Sequence, residues 1–73
     1  MTKTSRSRAL GANVERLRKG AKISKKTFCL TVGIGRPFLD RIEKGEADPR
    51  LSVIESLADA LETTPQDLLA PPL

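Results

Sequence analysis

A chain of 73 residues, 38% of them apolar, with one cysteine and no histidine, allows one small core and excludes an intramolecular disulfide, a zinc site and a cysteine–histidine nucleophile. No apolar run approaches the roughly 18–20 residues that span a bilayer, and the opening MTKTSRSR lacks a signal-peptide core, so the expected location is cytoplasmic with Cys29 reduced. The net charge of +4 is steeply graded: residues 1–26 hold nine Lys/Arg against Glu15 alone, while residues 51–73 hold four acids and no Lys or Arg.

Apolar residues recur at helical spacing with no strand-like alternation, which predicts an all-α bundle of five short helices. A flexible basic arm over residues 1–6 precedes a domain over 7–69, and residues 70–73 form a tail. The first helix is expected from about Ser7 to Lys19, with Leu10, Val14, Leu17 and Ala21 in one stripe and Gly20 near its end. Ser24 is a good N-cap for a second helix that turns Phe28, Cys29 and Val32 inward and stops at Gly33. A third starts near Gly35 with Pro37 in its first turn, carries Leu39 and Ile42 on its core side, and ends at Gly45. Pro49 is expected to open a fourth helix whose apolar face is Leu51, Ile54, Leu57, Ala58 and Leu61. Thr64-Pro65-Gln66-Asp67 then caps a last short helix holding Leu68 and Leu69.

Only Gly33 and Ile34 separate the second and third helices. So short a turn forces a steep crossing, which needs apolar residues at Phe28, Val32, Ile34, Leu39 and Ile42, a small one at the closest approach, Cys29, and glycine at the turn, Gly33. All of these conditions hold within Lys25–Lys44, a specific signal for a helix-turn-helix.

From Leu10 to Leu69, about four-fifths of its length, the chain resembles the Cro/repressor-type (lambda-repressor-like) helix-turn-helix family. The resemblance is carried by Leu17-Arg18, Val32-Gly33-Ile34, Arg41-Ile42-Glu43-Lys44-Gly45, Pro49, Ala58-Asp59-Ala60-Leu61 and Thr64-Pro65-Gln66-Asp67-Leu68-Leu69. It implies a DNA-binding domain with the third helix in the major groove. It also implies a structural pair between Arg18 and Glu43 beneath that helix. Three positions depart from the family: Lys25 stands where glutamine is usual, Cys29 where alanine is, and Lys22 where glycine is favoured.

On the outer side of the third helix fan Arg36, Pro37, Asp40, Arg41 and Lys44. Arg36 and Arg41 are the expected base readers, since the guanidinium fork matches guanine O6 and N7, at roughly 1–3 kcal/mol of discrimination per good pair. Asp40 either accepts from a cytosine amine or, as the favoured reading, orients Arg36 or Lys44. Phe38 lies at the border, as a core-rim residue or against a thymine methyl. Lys25 and Lys26 break a rule, because cations in a helix's first turn cost about 0.3–1 kcal/mol each; a phosphate held at that N-terminus is the favoured account, chance surface placement the other. Lys3, Arg6 and Arg8 either track the DNA backbone or form a solvated terminus.

The charge gradient agrees with one face turned to a polyanion and one end turned away. The leading expectation is a sequence-specific transcription regulator, a repressor or controller-type switch, bound to double-stranded DNA as a homodimer. The dimer would form through the C-terminal helices, with Val53, Leu57, Leu69 and Leu73 as candidates. An antitoxin-type protein that neutralises a partner and autoregulates its operon is the alternative. An enzyme is rejected for want of catalytic groups, and no cofactor, metal or small-molecule ligand is expected.

Overall fold

The computed structural model describes residues 5–71, which form α1 (Ser5–Gly20), α2 (Lys25–Val32), α3 (Arg36–Glu43), α4 (Leu51–Ala60) and α5 (Pro65–Leu69). No strand occurs among the described residues, as the periodicity predicts. The radius of gyration, 10.8 Å, matches the roughly 11 Å of a close-packed chain of this length. None of the helices is long and apolar enough to cross a membrane.

Local chemistry sets most of the boundaries. Ser24 Oγ accepts from the Thr27 N–H at 3.1 Å and starts α2. Gly33 ends it at φ +84°, its N–H donating to the Cys29 carbonyl at 2.8 Å. Thr64 Oγ1 caps α5 through the Asp67 N–H at 3.1 Å, with Pro65 in the first turn. The first helix begins two residues earlier than expected, so Ser5 and Arg6 belong to α1 rather than to the arm. Residues 1–4, including Lys3, lie outside the described residues.

The core gathers Leu10 and Val14 of α1, Phe28 and Cys29 of α2, and Leu39 and Ile42 of α3. Leu57 and Ala58 of α4, Leu68 of α5 and Ala47 of the connecting loop complete it. α1 packs on α3 and α5, α2 on α3 and α4, and α4 on α5. Several expectations need correction. Pro49 does not open α4: it is buried in the loop, and Arg50, in extended backbone, caps the helix instead. Leu51 is 63% exposed and outside the core, and the first α4 residues packed against it are Val53 and Ile54. Ala21 lies past α1 in an exposed turn. Leu57 is fully buried, so it packs the domain's own core and is not available to a dimer face.

The closest backbone approach joins α1 to α3. A Cβ on Gly11 would run into the Ile42 carbonyl oxygen and lie 2.9 Å from that of Glu43. Only glycine lets these two backbones touch. Two residues further along α1, the buried polar Asn13 donates through Nδ2 to the carbonyls of Leu68 and Ala70, each at 2.8 Å. Those carbonyls end α5 and have no partner within their own helix, so Asn13 caps α5 from across the domain.

Candidate nucleic-acid interface

Gly33, Ile34 and Gly35 carry the chain from α2 into α3. Phe28, Leu39 and Ile42 are buried at the crossing, and Val32 and Ile34 are half-buried against the same core. Cys29 sits there with 8% exposure, and burial pushes its thiol pKa up, which keeps it protonated and unreactive. The geometry anticipated for Lys25–Lys44 is therefore present.

The outer side of α3 presents Arg36, Pro37, Arg41 and Lys44 as exposed residues, with Asp40 half-buried among them. Phe38 is half-buried and packs on the core's edge. Beneath, Arg18 and Glu43 form the pair that the family resemblance implies. Arg18 Nε donates to Glu43 Oε2 at 2.8 Å, Nη2 to Oε1 at 3.2 Å, and Nη1 to the Ile23 carbonyl at 3.0 Å. The glutamate hydrogen bond raises the Arg18 pKa above its ordinary value, so the charge is permanent. One guanidinium thus ties α1, the turn before α2 and the end of α3 together. It fixes how the end of α3 sits on the domain.

At the N-terminus of α2, Lys26 is exposed. Lys25 is half-buried, and its Nζ lies 2.8 Å from Asp40 Oδ1. Arg36 Nε approaches the same oxygen at 3.6 Å. The Lys25 hydrogen bond holds the Asp40 carboxyl below the usual carboxylate range against the opposing effect of burial, and the Arg36 and Lys44 charges add to it. Considered on its own helix, Asp40 would pair with Arg36 or Lys44. The structure adds a partner from across the turn, one whose signal in the sequence is Lys25 itself, a cation where the helix dipole disfavours it.

Two further positions frame the interface. The main chain and Cγ of Arg8 lie against Gly45, whose φ is +74°, so α1 passes close to the turn that follows α3. Lys22, at φ +61°, occupies the left-handed backbone region just before α2, which explains the family's preference for glycine there. The acids Glu55, Asp59, Glu62 and Asp67 are exposed on and after α4. Among the described residues no group of three or more Cys, Asp and Glu side chains is placed to hold a metal ion.

The family model for the Cro/C1-type HTH DNA-binding domain matches residues 9–72. No curated protein matches the chain. Among solved structures, the restriction-modification controller protein C.AhdI from Aeromonas hydrophila is similar, with a TM-score of 0.79 and 27% identity over 85% of this chain and 94% of that one. A hypothetical transcription factor, NHTF, from Neisseria has a TM-score of 0.84 and 27% identity, covering 92% of this chain and 77% of its own. The competence regulator ComR from Streptococcus vestibularis has a TM-score of 0.78 and 30% identity over 86% of this chain but 21% of its own.

Proposed function

Because the chain belongs to the Cro/C1-type helix-turn-helix DNA-binding family, we propose that it is a sequence-specific transcription regulator, a repressor or controller-type switch. It binds a twofold operator as a homodimer with α3 in the major groove. The observation that carries this reading is the exposed row Arg36, Arg41 and Lys44 on a helix locked to the domain by Arg18–Glu43. Guanidinium groups on such a row meet base edges, and lysines beside them meet phosphate. The similarity to C.AhdI over nearly that protein's whole length supports the controller form of the reading.

In this assignment Arg36 and Arg41 read bases, with the exposed Pro37 beside them and Phe38 supporting the helix from the core's edge, and Lys26 and Lys44 contact phosphate. Lys25 and Asp40 act within the interface as a linked pair. The acidic surface of α4 and α5 faces away from DNA, and dimerisation uses that end, where Val53 and Leu69 are half-buried apolar groups. Leu73, the remaining candidate, lies outside the described residues.

Selection of bound duplexes from a random pool tests the reading directly. The expected product is an inverted repeat with half-site centres about one helical turn, roughly 10–10.5 base pairs, or a multiple apart. Recovery of sequences with no common element would sink the sequence-specific reading. An unpaired half-site, together with a monomer mass in sedimentation at the binding concentration, would sink the dimer.

A further inference from the structure

We infer that Asp40 is a specificity-determining residue that withholds Lys25 from DNA phosphate and positions Arg36, an inference that rests on the reading of α3 as the recognition helix. One oxygen, Oδ1, faces both cations: Lys25 Nζ at 2.8 Å from α2 and Arg36 Nε at 3.6 Å from the preceding turn of α3. The three side chains are partly covered, Lys25 at 31% exposure, Asp40 at 37% and Arg36 at 57%. The pair is thus open to solvent on the side of α3 that carries Arg36, and there a phosphate and the carboxylate compete for the same ammonium.

Two consequences follow from elementary electrostatics. Non-specific affinity scales with the number of cations that displace condensed counterions from phosphate. A lysine committed to Asp40 drops out of that number, so the sequence-independent part of binding is lowered. Meanwhile Arg36 is approached through Nε, which leaves the two terminal nitrogens of its fork beyond the carboxylate. A side chain held in this way loses less rotamer freedom when it meets a base. Asp40 also repels phosphate, so poses that slide the backbone onto α3 are penalised. Weaker binding everywhere and better aim at one base pair are the joint result.

The test is a salt series of equilibrium binding to random duplex and to the selected operator. It compares wild type, Asp40→Asn, Lys25→Met and the double variant, with folding verified by circular dichroism. Asp40→Asn is expected to tighten random-DNA binding several-fold and to steepen its log–log salt slope by about one unit, because Lys25 becomes available to phosphate. It should also reduce several-fold the operator discrimination at the base pair that Arg36→Ala identifies. Lys25→Met should leave the slope nearly unchanged in wild type and flatten it by about one unit in the Asp40→Asn background. Asp40→Glu, which keeps the charge, should retain the wild-type slope. Equal flattening by Lys25→Met in both backgrounds overturns the inference, since Lys25 then reaches phosphate despite Asp40. Unchanged discrimination in Asp40→Asn overturns the positioning of Arg36. A wild type that binds random duplex without sequence preference would instead sink the regulator reading, and the slopes would still decide the pairing. In the free protein, Lys25→Met should move the Asp40 carboxyl titration, followed by NMR, back towards the usual carboxylate range. A titration that does not move denies the pair itself.

Discussion

Arg18 of α1 and Glu43, the last residue of α3, meet in a two-pronged ion pair, 2.8 Å between Nε and Oε2, with side-chain exposures of 7% and 4%. Removal of one partner strands the other's charge in a nearly dry site, at a typical cost of about 3–5 kcal/mol. Arg18→Met and Glu43→Leu should each lower the unfolding free energy by that order. The double variant should recover a large part of the loss, because no buried charge is left alone. Chemical denaturation of the four proteins measures this, and additive losses would contradict it.

Gly11 is expected to tolerate no side chain. Its Cβ would meet main-chain atoms of Ile42, Glu43 and Gly45, which cannot rotate aside as a side chain does. Gly11→Ala should cost at least the about 1–3 kcal/mol usual for overpacking, and the displaced α3 should weaken operator binding as well. An unchanged melting temperature would show that α1 and α3 are not in backbone contact.

Lys22→Gly should stabilise the protein. A left-handed non-glycine residue carries strain of order 1–3 kcal/mol, against about 0.4–1 kcal/mol of extra unfolded-state entropy for glycine. A net gain of about 0.5–2 kcal/mol is expected, read as a higher melting temperature with DNA affinity little changed. Destabilisation would contradict the assignment of strain to the left-handed backbone at this position, φ +61°.

Cys29 is a packing residue in this fold. Cys29→Ala should fold and bind DNA almost normally, whereas Cys29→Leu should overfill the α2–α3 crossing at a cost of about 1–3 kcal/mol. Loss of DNA binding by a well-folded alanine variant would assign the thiol a role beyond packing.

The final expectation separates readers from clamps. Arg36→Ala and Arg41→Ala should lose about 1–3 kcal/mol on the operator and little on random DNA, each becoming indifferent at one base pair per half-site. Lys26→Ala and Lys44→Ala should weaken both DNAs in proportion and flatten the salt slope by about one unit. Proportional losses for the two arginines would make them phosphate contacts and move sequence reading elsewhere on α3 or into DNA shape.

The sequence alone determined the five helices, the crossing at Gly33-Ile34 and the exposed cations of α3. These depend on residues close together in the chain: caps, glycines and a repeat of about 3.6 residues. The Arg18–Glu43 pair was also legible, though only through resemblance, because 25 residues separate its partners. Tertiary structure alone decided the relationships that periodicity does not encode. It placed Gly11 against the Ile42 carbonyl and Asn13 over the end of α5. It enclosed Leu57 while leaving Leu51 outside, although both fall on one predicted stripe. It brought Lys25 to Asp40 across the turn, where the pattern of α2 or α3 taken separately offers each a different partner. Helical spacing says which side of a helix is apolar; how far along that side the core extends, and which charge waits on the neighbouring helix, depend on how the helices cross.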